Sequence, residues 1–124
     1  MTNSHASRIA ALAGLLAVVL GAFGAHSLKE LLLHNETTAI WEKAVLYHFI
    51  HAIMLFILAA RNPLPRLPWF SFLIGIVIFS GSLYLLAVTN DHWLGAITPI
   101  GGISFIVGWC CLMICPRAGG AKIS

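Results

Sequence analysis

The sequence predicts an all-α polytopic membrane protein: one integral domain over residues 1–124, a bundle of four transmembrane helices with a short interfacial helix between the first and second spans. Two observations predict it. The chain is 60% hydrophobic and 9% charged, where soluble domains carry roughly 25% charged residues, so a water-soluble core could not hide its apolar surface. The apolar residues also fall into runs at about 9–26, 39–60, 69–88 and 94–115, each near the roughly 20 residues that cross a hydrocarbon core about 30 Å thick. Other classes are excluded by the same figures. A formal charge of +3 with no lysine and arginine cluster is not a nucleic-acid footprint, so the lipid bilayer is the expected partner. Cys110, Cys111 and Cys115 share one apolar run without a nearby histidine, which suits small apolar packing residues better than a disulfide framework or a zinc site.

In the first run, Arg8 precedes an uncharged stretch over 9–25. A signal peptide is the alternative, with Arg8 as its basic region and Ala22, Phe23 and Gly24 as a small-residue cleavage site. Ala10, Gly14, Ala17, Gly21 and Ala25 favour a retained span, because their spacing of three and four makes a face that admits another helix closely. The polar interruption at 26–38 has Ser27 and Glu30 at the spacing of a capping box. Leu28, Leu31 and Leu32 fall on one side of the short helix expected there, which lies along the membrane surface. Asn35, Glu36 and Thr37 match the glycosylation sequon, which matters only in a eukaryotic secretory route.

The second run, 39–60, is ended by Arg61, Asn62 and Pro63. Thr38 is its expected N-cap, Glu42 sits where the helix dipole favours negative charge, and Trp41 is the interfacial aromatic. His48 then lies roughly 15 Å below that end, with His51 a turn deeper near the midplane. Ala44, Tyr47, His48, His51, Leu55 and Leu58 form one stripe, expected to face protein.

Residues 61–68 hold three prolines and two arginines, a loop expected to continue neither helix. Trp69 marks the next interface, and the third span carries the small residues Ser71, Gly75, Ser80, Gly81 and Ser82, then Tyr84 and Thr89. Its hydroxyls can bond backbone carbonyls or a neighbouring helix. A tight turn is expected at 89–92. In the fourth span, Pro99 either follows a helix start at Thr98 or kinks the helix. Gly101, Ser104, Gly108, Cys111 and Cys115 step by three, four, three and four, a packing seam like that at Gly14, Ala17 and Gly21. Pro116 and Arg117 close the span, and a frayed tail to Ser124 is expected.

Four spans put Arg8, Arg61, Arg66, Arg117 and Lys122 on one side and Lys29 and Lys43 on the other. That bias predicts a multi-pass protein with both termini in the cytoplasm.

The words GAFGAH at 21–26, Trp41 followed by Tyr47 and His48, FSGSLY at 79–84 and GAITPIGG at 95–102 are specific in combination. Through them the chain resembles, over nearly its full length, the family of small four-helix inner-membrane proteins of unknown function that includes the bacterial YgdD and YwdK proteins and the eukaryotic transmembrane protein 256. The resemblance implies an uncleaved first helix, four spans and, for a bacterial member, a home in the plasma (inner) membrane, and carries over no activity, ligand or partner.

The candidate polar cluster is His26, Tyr47, His48, His51, Ser80, Ser82 and Tyr84. An ionisable side chain at bilayer depth is a functional-site hypothesis. For His48 and His51 three readings stand: hydrogen bonds that set helix register, a proton or ion relay with Tyr47 and His26, and a metal or haem site. The last lacks a neighbouring carboxylate or thiolate to offset the cation, and histidines on one helix cannot clamp a haem from both faces. His26 also reads as an interfacial cap, and Glu42 and Asp91 as dipole and cap residues. The chain has no nucleophile with a paired base, phosphate-cradling loop or metal-hydrolase helix, so neither an enzyme nor a cofactor is expected. Two classes remain, a structural or accessory membrane protein and a small carrier using the histidine pair. Either could form a homo-oligomer or join a larger membrane complex, and a transport path needs the oligomer more.

Overall fold

Apolar runs closed by charge and proline become helices wherever backbone groups must be satisfied within the segment, as they must in hydrocarbon. The computed structural model describes residues 2–115. Its helices are α1 (Asn3–Ala25), α2 (Lys29–Asn35), α3 (Thr38–Ala59), α4 (Arg66–Gly75), α5 (Gly81–Thr89) and α6 (Thr98–Ile114). A π-helical turn, Ile76–Ser80, joins α4 to α5, and a 3-10 turn, His92–Ala96, leads into α6. Four stretches are long and apolar enough to cross a membrane: Asn3–Ala25, Thr38–Ala59, Arg66–Thr89 and His92–Ile114. The tail and the closing Pro116 and Arg117 lie outside the described residues.

Helix α3 is central. It packs along α1 on one side and against α4, the π turn and α5 on the other, while α6 packs on α4 and the π turn. The pairing follows from side-chain size. Ala6, Ala10, Ala13 and Ala17 form the buried face of α1, so its backbone comes close to α3. Between α4 and α6 the fit is reciprocal. A methyl on Gly75 would stand 2.3 Å from the Phe105 ring, and one on Gly108 would stand 2.4 Å from the Phe72 ring. Each glycine is the hole for the other helix's phenylalanine. At Gly101 a methyl would meet the Phe79 backbone at 2.3 Å, so α6 rests there directly on the π turn.

Both ends are tied by side chains bonding carbonyls that a helix terminus leaves unpaired. Asn3 donates through Nδ2 to the carbonyl of Ala59 at 2.9 Å and also to that of Arg61, pinning the start of α1 to the end of α3. At the opposite end, Thr37 donates through Oγ1 to the carbonyl of Ala87 at 2.7 Å, and Asn35 through Nδ2 to those of Ala87 and Val88 at 3.1 Å.

Several local expectations are corrected. No side chain caps α2, whose N-cap position is Leu28, so Ser27 and Glu30 form no capping box. The N-cap position of α3 is Thr37, whose hydroxyl goes to Ala87 instead of its own helix, and Glu42 lies beyond the first turn. Trp41 and Trp69 turn into the bundle instead of outward. Trp41 is buried and donates to the Leu20 carbonyl at 2.9 Å, and Trp69 is buried and donates to the Leu55 carbonyl at 3.1 Å. An indole N–H inside a bundle needs an acceptor, and a facing helix carbonyl supplies one. The 61–68 loop is shorter than expected, because α4 already starts at Arg66 and Pro68 falls in its first turn, where no N–H is needed. Pro99 likewise sits in the first turn of α6 and does not kink it. A methyl at Gly14 would meet nothing within 4 Å, so that glycine makes no close approach, whereas one on Gly24 would stand 2.2 Å from Trp41.

Candidate functional site

The polar groups at mid-depth are held by α3. Its stripe turns Ala44, His48, His51, Leu55 and Leu58 inward as the spacing requires, but leaves Tyr47 exposed. Three residues apart on a helix, the two imidazoles diverge by about 60°, and they reach different neighbours.

His48 faces α1 and α5. Its Nδ1 lies 2.8 Å from the Tyr84 hydroxyl. It thus ties α3 to α5. His51 faces α6. Its Nδ1–H donates to the Tyr47 carbonyl at 2.7 Å, and its Nε2 accepts from the Trp109 indole N–H at 3.0 Å. A carbonyl only accepts and an indole only donates, so these partners fix the tautomer with the proton on Nδ1. The ring also lies flat on Phe105, with centroids 3.7 Å apart and planes 12° from parallel.

The serines act alongside. Ser80, the last residue of the π turn, is fully buried and donates to the Ala44 carbonyl of α3 at 2.8 Å. Ser82 lies 2.6 Å from the Thr98 hydroxyl and donates to the Phe79 carbonyl at 3.0 Å. In the α6 seam, Ser104 donates to the Ser71 carbonyl at 2.6 Å, and Gly101 and Gly108 are buried. In the α1 seam, Ala17 is buried and a methyl on Gly21 would meet Val45 at ordinary contact distance.

The structure therefore brings His48 together with Tyr84, and sets His51 on the same helix with Trp109. It does not bring in His26, which is exposed at the end of α1, about 20 Å along that helix from Ala13. Tyr47 joins through its backbone carbonyl and through its ring, 4.7 Å from that of Phe79. Sequence reasoning missed Trp109 and Phe105. The one available cue was Trp109, whose indole N–H inside an apolar span must find an acceptor.

A groove of about 350 Å³ between α1 and the span formed by α4, the π turn and α5, walled by Leu12, Leu16, Leu73 and Val77, reaches His48 and Tyr84. Among the described residues no three His, Cys, Asp or Glu side chains converge as a metal site.

Four spanning helices, interhelical side-chain-to-carbonyl bonds and a sparse polar interior define a small integral membrane protein. The family profile described as "Protein of unknown function (DUF423)" matches residues 20–102. Its relatives are named membrane proteins. The UPF0382 membrane protein of Staphylococcus epidermidis is 46% identical over 110 residues, covering 86% of this chain and 89% of its own. UPF0382 membrane protein YwdK of Bacillus subtilis is 42% identical over 113 residues, covering 86% and 90%. That of Haemophilus influenzae is 40% identical over 113 residues, covering 88% and 90%. The chain belongs to this family of membrane proteins of unknown function, as its sequence words implied. No solved structure matches it.

Proposed function

We propose that the protein is a structural or accessory component of the plasma (inner) membrane, non-enzymatic, with His48 and His51 serving as ties that set helix register. The observation that carries this reading is the environment of His51. Tyr47 and Trp109 occupy both ring nitrogens, and Phe105 covers one ring face. To take a second proton, His51 would first have to release Trp109. The tie contributes modestly, as interhelical bonds in membranes average about 0.6 kcal/mol.

Amide substitution tests it. His48→Asn keeps an acceptor near the Nδ1 position facing Tyr84, and His51→Gln keeps one near the Nε2 position facing Trp109, while neither amide titrates between pH 5 and 8. In the structural reading these variants melt within a few degrees of wild type in detergent and keep any cellular phenotype, while His48→Leu and His51→Leu do worse. Equal loss of function in amide and leucine variants with the fold intact would overturn it.

The second reading is a small proton, ion or solute carrier, as a homo-oligomer, and the groove that reaches His48 and Tyr84 favours it. Proton flux in proteoliposomes that both amide variants abolish would establish this class.

Both termini are cytoplasmic in the proposed threading. Arg8, Arg61 and Arg66 stand at the end that would face the cytoplasm, with no acidic side chain of the chain at that end. A cysteine replacing Asn90 should react with an impermeant thiol reagent on intact cells, and one replacing Asn3 should not. The reverse pattern reverses the threading.

A further inference from the structure

Between the end of α1, the short helix α2 and the start of α3 lies a groove of about 300 Å³. It exists because α1 presents almost no side chain there. A methyl on Gly21 would meet Val45 at 3.4 Å, and one on Gly24 would stand 2.2 Å from Trp41. Trp41, buried and tied to the Leu20 carbonyl, gives the groove a fixed floor. Leu46 and Phe49, both exposed, carry its apolar wall along the outside of α3, where acyl chains lie.

The polar groups left over at this groove are mostly acceptors. Trp41 spends its one side-chain donor on Leu20. The carbonyls of Gly24 and Ala25, in the last turn of α1, accept no hydrogen bond, because the N–H groups that follow go to Ala22, Phe23 and His26. Glu42 is exposed and pairs with no cation among the described residues, and no lysine, arginine or histidine lines the groove. Thr38 adds a hydroxyl, which can donate to a phosphate oxygen. Free carbonyls at a helix C-terminus, with a carboxylate beside them, favour a cation that carries N–H groups. A primary ammonium supplies three such donors. Apolar walls that end in acceptors, at the end of a transmembrane bundle, therefore fit an amphiphile with an ammonium in its headgroup. Among bilayer phospholipids, ethanolamine has that group, whereas choline has the charge without an N–H, and glycerol has neither.

We propose that this groove is a binding site for an ethanolamine phospholipid. Its ammonium lies among Glu42 and the carbonyls of Gly24 and Ala25, its phosphodiester lies beside Thr38, and an acyl chain runs past Gly21, Leu46 and Phe49. The inference stands on the groove and its unpaired acceptors, not on the role given to the histidines, so either can fail alone.

Native mass spectrometry of the full-length protein in detergent tests it, titrating dioleoylphosphatidylethanolamine against its choline and glycerol counterparts. Wild type should retain the ethanolamine lipid in preference to both. Glu42→Gln, which keeps the length of the side chain and removes its charge, should cut that preference roughly threefold to fivefold, the scale of one exposed ion pair. Glu30→Gln, which removes the same charge at the same end but outside the groove, should leave it unchanged. Gly21→Leu, which fills the path of the acyl chain, should lower retention with Glu42 intact. Soluble glycerophosphoethanolamine, the headgroup without acyl chains, should fail to displace the lipid at millimolar concentration. Thermal melts show whether each variant is folded, and the exposed Glu42→Gln carries the test if Gly21→Leu does not fold. Equal retention of the ethanolamine and choline lipids by wild type would overturn the proposal, as would an unchanged preference in folded Glu42→Gln, an equal loss in Glu30→Gln or unchanged retention in folded Gly21→Leu. Displacement by the soluble headgroup would also overturn it, in favour of a free amine.

Discussion

The pair α1 and α3 and the pair α4 and α6 both rest on small residues, yet the small residues do different work. Along α1, alanines make a flat strip, and the contact tolerates a methyl group at Gly14, though not at Gly24 near the helix end, where one would stand 2.2 Å from Trp41. The polar fastening comes from both helices, Trp41 of α3 donating to the Leu20 carbonyl and Asn3 of α1 to the Ala59 carbonyl. Between α4 and α6 the surface is deeply keyed. Gly75 receives Phe105, Gly108 receives Phe72, and Gly101 lets α6 touch the backbone of the π turn. In hydrocarbon, where association relies on van der Waals fit instead of water exclusion, a flat strip and a keyed surface both serve, but the keyed one depends on glycines along its length and the strip on Gly24 at its end.

The largest expected effect tests the keyed side. Gly101→Ala puts a methyl 2.3 Å from the Phe79 backbone nitrogen, which no side-chain rotation relieves, and overpacking of this kind destabilises by about 1–3 kcal/mol or more. A thermal melt in detergent should drop clearly; a melt equal to wild type would erase the distinction between the pairs. Next is Gly75→Ala, where the obstacle is a ring and not backbone, so the loss should be smaller. It should be partly restored by adding Phe105→Leu, with a coupling energy of about 0.5–3 kcal/mol in a double-mutant cycle. Strict additivity would mean that the two residues do not share one hole. The smallest effect belongs to the flat side. Gly14→Ala meets open space and removes a flexible helical residue, so stability should stay level or rise by up to about 1 kcal/mol. A marked loss there would show that α1 packs more tightly than its alanine strip implies.

Much of the site was legible because it lies on one helix. Helical spacing alone turns Ala44, His48, His51, Leu55 and Leu58 to a common side, and the interior position of both histidines follows. The same rule failed for Tyr47, which sits at the margin of the stripe, where a long side chain can turn either way. His26 was drawn into the cluster by residue type, and distance along α1 removes it. The aromatic anchors were misread for a shared reason. A tryptophan near a helix end carries the same sequence signature whether it meets headgroups or a neighbouring helix, and Trp41 and Trp69 meet helix carbonyls. Nothing in the sequence marked the π turn at Ile76–Ser80, because an extra residue in a turn leaves composition and hydropathy unchanged.

By itself the sequence determined the four spans and the opposite charge of the two ends. Transfer of an apolar run into hydrocarbon is close to a sum over its own residues, and charge is carried by residue identity; neither needs to know what packs beside it. Only the tertiary structure decided which glycines are holes, which carbonyl each indole reaches, and that His48 ends on Tyr84 while His51 ends on Trp109. Those outcomes depend on the rotation and depth of one helix against another. A repeat of small residues every three or four positions is compatible with many such registers, and close packing in space selects one.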